Sequence, residues 1–152
     1  MNDAEIEFRK TGFEYVNPTA RVVIVGITPG VSQLANDRSG KSSREIKREN
    51  AFAGRMRPNL IRMLDYVGVN RLLGIESCAS LWGCDFDKVE MTSLLKEATF
   101  VRDKMFNSPA LIAKSAKLTA AFNEGFKRDC ASYKNAILFG LFVHDCGWIS
   151  AA

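Results

Sequence analysis

Hydrophobic positions along the chain change period several times, and each change predicts an element. Val22, Val23, Ile24 and Val25 form an apolar, β-branched run without polar alternation. That pattern suits a strand buried on both faces, as in a parallel sheet with helices on either side. Gly26, Pro29 and Gly30 follow at once, predicting a sharp turn whose backbone comes close to whatever lies above the strand end. From Asn50 to Gly68 the spacing becomes helical: Met56, Leu60, Met63, Leu64 and Val67 recur with Arg57, Asn59, Arg62 and Asp65 between them. This describes an amphipathic helix lying on the sheet and stopped at Gly68. Val89 to Lys96 begins a second strand. Ser108-Pro109 opens a helix carried by Leu111, Ile112, Leu118, Phe122 and Phe126, and Asp129 to Asn135 is a turn. Ala136 to Val143 reads as a third buried strand.

The remaining stretches are polar. Residues 2–20 form a lead-in docked through Phe8, Phe13 and Tyr15, with Asn17-Pro18-Thr19 as the turn into the first strand. Val31 to Asn50 is a charged surface segment with one or two helical turns from Ser43. Val69 to Asp87 is a connection with a surface loop around Trp82, and Ala98 to Asn107 is a loop in which Phe100 and Phe106 alternate with Arg102 and Lys104. Strands separated by helices define an α/β protein, in which ligands bind beyond the carboxyl ends of the strands.

Composition narrows the classes. At 152 residues, 47% hydrophobic and 25% charged, the chain is long enough for one domain with its own core. A net charge of +4 and a pI near 9.0 permit an anionic partner without requiring one. Cys78, Cys84, Cys130 and Cys146 have no Cys-x-x-Cys spacing and a single histidine, His144, beside them. They indicate neither a zinc site nor a disulfide framework, and fit a reduced, cytoplasmic compartment. No signal core and no membrane-length apolar run is present.

Three short motifs then carry a resemblance. Gly26-Ile27-Thr28-Pro29-Gly30 resembles the Gly-x-x-Pro-Gly motif after the first strand of the uracil-DNA glycosylase superfamily. Phe52-Ala53-Gly54 resembles its Pro-Phe-Val-Gly element before a Leu-rich helix, and Thr92-Ser93-Leu94-Leu95-Lys96 its Thr-Asn-Leu-Val-Lys segment. The likeness spans roughly Arg21 to Val143. It implies a three-layer α/β/α sandwich with a short parallel central sheet, a single domain over residues 1–152, and hydrolysis of the N-glycosidic bond of uracil or a related damaged base in DNA. No cofactor or metal is implied, and the cysteine spacing for an iron–sulfur cluster is absent.

Under that resemblance Phe52 stacks on the extruded base, Ile27 and Ser93 contact it, and Gly26, Pro29, Gly30 and Gly54 shape the backbone. Ser93 stands where asparagine is usual, and a hydroxyl cannot make the paired donor and acceptor contacts of an amide. Thr28 occupies the position of the residue that orients the attacking water, with Gln33 as a second candidate. A threonine positions water but is no general base near neutral pH. Arg38, Lys41, Arg44, Lys47 and Arg48 are placed to hold DNA phosphates. Superfamily members continue into a His-Pro-Ser loop, whereas His144 is followed by Asp145 and Cys146. The chain is therefore expected to lack the C-terminal part of the domain, and to act as a monomer on DNA.

Two other functions fit the same residues. One is a DNA-binding module of this fold that does not cleave. The other is a nucleotide hydrolase, since Ala35 to Ser42 fits a permissive P-loop. A P-loop starts where its strand ends, however, and here the strand ends at Gly26.

Overall fold

In the computed structural model, residues 1–34 and 40–141 are described. The centre is β2 (Val22–Gly26), every residue of which is buried. It pairs in parallel with β3 (Val89–Ser93) on one side and β6 (Ile137–Gly140) on the other. The register sets Val22 opposite Val89 and Gly26 opposite Ser93, so two of the sequence motifs end side by side.

Both faces of β2 and β3 are covered. Val22, Ile24, Val89 and Met91 pack against Leu60 and Leu64 of α3 (Met56–Tyr66) and Val69 and Leu73 of α4 (Val69–Leu73). Val23 and Val25 face Phe126 and Tyr133 on the other side. The unbroken apolar run of β2 follows from this double burial.

The third strand differs from its expectation. Ile137 and Leu138 are exposed: β6 is an edge strand like β3, but β3 is buried and β6 is not, and Val143 lies outside the described residues. The polar lead-in and the segment after residue 97 also differ. They build a second, antiparallel sheet in which β4 (Ala98–Val101) pairs with β1 (Ile6–Arg9) and with β5 (Lys104–Met105). Ile6 and Phe106 then share a core with Leu95, Ile112 and Leu118, and Phe106 anchors its segment.

The predicted helix from Ser108 is three pieces: a 3-10 helix at Pro109–Lys114, α5 (Ala116–Phe122) and a π-helical segment at Asn123–Lys127. Ser115 breaks the first from the second and caps α5 through its hydroxyl. The loop around Trp82 is likewise a 3-10 helix, Cys78–Trp82, with Cys78 and Leu81 fully buried. The protein is thus a mixed α/β fold with a parallel sheet of three strands and a small antiparallel one beside it. Among the described residues no helix is long and apolar enough to cross a membrane.

Candidate functional site

Beyond the carboxyl ends of β2 and β3 lies a cavity of about 520 Å³, within the range of small-molecule sites. Gly26 to Gly30 form one wall, Ala51 to Ala53 and Met56 another, and Met91 to Ser93 with Lys96 a third. All three sequence motifs therefore meet there.

Phe52 is the central feature. Its backbone is left-handed, with φ of 52°, a conformation that costs a bulky residue roughly 1–3 kcal/mol and persists only where the surroundings enforce it. The surroundings are explicit. Helix α2 (Ser43–Asn50) ends just before Phe52, and side chains claim the carbonyls around its end. Arg57 donates to Glu49 O at 2.7 Å and to Ala51 O at 2.8 Å. Trp82 Nε1 also donates to Ala51 O, at 2.8 Å, and Gln33 Nε2 to Asn50 O at 3.1 Å. The carbonyls that every helix leaves open at its C-terminus are thus used to fix one aromatic ring.

That ring lies against Gly26. A Cβ on Gly26 would come within 3.1 Å of Phe52 Cε1 and 3.6 Å of Ser93 Oγ. Glycine at the strand end is therefore a matter of close approach. Gly54 meets the second requirement, for its φ of 85° is left-handed while a Cβ there would touch nothing.

Thr28 and Gln33 line the cavity but are already bonded. Thr28 Oγ1 donates to Glu97 O at 2.9 Å and accepts from Thr99 N at 3.0 Å, joining the first motif to the start of β4. One lone pair remains, so Thr28 offers an incoming water an acceptor only. Gln33 Oε1 accepts from Gly30 N while its amide nitrogen binds Asn50 O. From the short helix α1 (Val31–Leu34) it staples the motif turn to α2. Ile27 and Pro29 contribute to the wall.

The basic cluster needs correction. Lys47 is not a surface phosphate ligand: its side chain is 1% exposed and its ammonium donates to Glu90 Oε1 and Tyr15 O. Burial pushes its pKa down to about 8, against the pull of Glu90. Lys41 pairs with Glu49 at 2.5 Å, and Arg44 pairs with Asp87 at 2.7 Å while lying over the Phe86 ring. Arg48 is half-buried on the same helix, and Arg38 and His144 lie outside the described residues. Nor is the N-terminus of α2 open to a phosphate. Ser42 caps it, and the Glu45 carboxylate, held low by the Ser42 backbone and hydroxyl, already occupies the place an anion would take.

A further cation at the cavity was not singled out from sequence. Lys96 lines it and ion-pairs with buried Asp129 at 2.6 Å, and Arg128 binds the other Asp129 oxygen at 3.0 Å. Burial would raise the Asp129 pKa, but the two cations hold it below the usual value. Cys78, Cys84 and Cys130 are free thiols, Cys78 pushed up to about 12 by burial and the neighbouring Asp65, and no metal-holding cluster occurs among the described residues.

These features define an α/β protein with a ligand-sized cavity at its strand ends. The chain is similar to the uncharacterized protein YoxB of Bacillus subtilis (strain 168), with 34% identity over 123 residues. The alignment covers 72% of this chain and 48% of YoxB, so the chain spans about half the length of the curated relative it matches. No family model matches the chain. No solved structure matches it either.

Proposed function

We propose that this chain is a DNA glycosylase-type hydrolase of base excision repair, with a uracil-DNA glycosylase-like α/β/α core, acting on uracil or a related damaged base flipped out of DNA. The observation that supports the reading best is the placement of Phe52 over Gly26, beside Ser93, at the carboxyl end of a parallel sheet. A largely buried aromatic ring, fixed against the strand-end glycine and lining the cavity, suits a flat ring, and the hydroxyl beside it suits a base carbonyl or ring N–H. Thr28, with its own proton committed, accepts a hydrogen from the water that attacks the sugar carbon. With Lys41, Arg44 and Lys47 engaged by carboxylates, phosphate contacts contribute less than the sequence suggests.

The test is base release from uracil-containing oligonucleotides, single and double stranded, by the wild type and by Phe52→Leu, which keeps an apolar side chain but removes the ring. Release by the wild type, reduced at least about tenfold in the variant, is the expected result on the scale of one stacked base. Salt-dependent DNA binding without release by the wild type would replace the hydrolase with a non-cleaving DNA-binding module.

A further inference from the structure

We propose that Lys96 is the group that stabilises the departing base as an anion, an inference that rests on the base-release reading above. Breaking the bond between C1′ and the base nitrogen sends the electron pair onto the base, where it spreads to the ring carbonyl oxygens. Water adds at C1′, and the proton it loses ends on the released base. The step needs a cationic donor beside the base, not a proton source, and such fixed charges are among the largest contributions to catalysis.

Among the described residues lining the cavity, the cations are Lys47 and Lys96. Lys47 is 1% exposed and spends its ammonium on Glu90 and Tyr15. Lys96 is 17% exposed and gives one bond, to Asp129, leaving two ammonium protons unspent among the described residues. It also stands in the wall between this cavity and a second one of about 540 Å³. Its path is fixed by a specific gap. A Cβ on Gly125, in the π-helical segment, would come within 2.6 Å of Lys96 Cγ. The irregular helix and its glycine thus let the lysine stem cross to Asp129, whose carboxylate holds the ammonium in place. Lys96 also closes the third sequence motif, three residues after Ser93.

The experiment compares wild type, Lys96→Met and Lys96→Arg at one pH. Base release is measured from oligonucleotides carrying uracil or 5-fluorouracil, the more acidic leaving group. Binding of free uracil and of barbiturate, a uracil-like ring that is anionic at neutral pH, is measured on the same proteins. Lys96→Met is expected to lower kcat on uracil by about 10²–10³ with KM little changed, to lose less on 5-fluorouracil, and to be partly rescued by arginine. Barbiturate is expected to bind the wild type about tenfold more tightly than uracil, the scale of one charge-assisted hydrogen bond, and Lys96→Met to erase the preference.

Equal losses on the two substrates, or a barbiturate preference that survives the substitution, overturn the assignment. A wild type that releases no base but binds barbiturate preferentially through Lys96 sinks the base-release reading and keeps the anion subsite. One that binds both rings alike sinks the Lys96 assignment whatever its turnover. If Lys96→Met does not fold, Gly125→Ala, which displaces the stem and keeps the charge, is expected to lose the same discrimination.

Discussion

Glu90→Ala destabilises the fold by about 3–5 kcal/mol, the cost of leaving a buried charge without its partner. Both members of the Lys47–Glu90 pair are 1% exposed. Glu90 also accepts from Asn17 N at 2.5 Å, and Lys47 donates to Tyr15 O. One buried pair therefore ties three separate parts of the chain together: the lead-in, α2 and β3. Removing the carboxylate leaves the buried Lys47 ammonium without its counter-charge, bonded to the Tyr15 carbonyl, and frees the lead-in at Asn17. Urea unfolding followed by circular dichroism measures the loss. The double replacement Lys47→Met with Glu90→Leu is expected to recover most of it, since an apolar pair of similar volume matches or exceeds a buried ion pair. A loss below about 1 kcal/mol for Glu90→Ala, the range of exposed pairs, would contradict this account.

If the proposed function holds, Gly26→Val is expected to weaken binding of a free base at least about tenfold while the protein still folds. The new Cβ starts 3.1 Å from the Phe52 ring, and valine adds two methyl groups beyond it. Phe52 cannot retreat freely, because Arg57, Trp82 and Gln33 hold the backbone on its N-terminal side. Either the ring tilts away from its place above the strand end or the valine fills the space a base would take. Overpacking of this kind costs roughly 1–3 kcal/mol of stability. The affinity for a free base, read by titration, is expected to fall at least about tenfold, the equivalent of about 1.4 kcal/mol. Unchanged affinity would mean that the ligand does not depend on the place of the Phe52 ring against Gly26.

The central strand and the motif turn were legible because they depend on local pattern. A doubly buried strand has no polar alternation, and a strand end against an aromatic ring takes glycine. The clamp on Phe52 was not legible, since Arg57 and Trp82 act on Ala51 across 6 and 31 residues of sequence. Lys47 looks like a surface cation only when its charge is weighed without its helical phase. Ile46, Lys47 and Asn50 fall on one buried face of α2, a signal present in the sequence. The small antiparallel sheet lacks a local sequence signal. Its hairpin turns through Arg102 and Asp103, with φ of 50° and 61°, where Asn-Gly would have announced it. The third strand was legible as a strand but not as an edge, which depends on sheet order and not on composition.

The bond from Thr99 N to Thr28 Oγ1 has a consequence for watching the cavity at work. Thr99 is fully buried in β4, yet its amide proton rests on a side chain of the cavity wall. Hydrogen exchange at that amide requires the motif turn to part from the second sheet. A ligand that braces the turn is therefore expected to slow deuterium uptake at Thr99 while leaving amides deep in β2 unchanged. A single backbone position, outside the cavity, thereby reports occupancy without any label on the ligand.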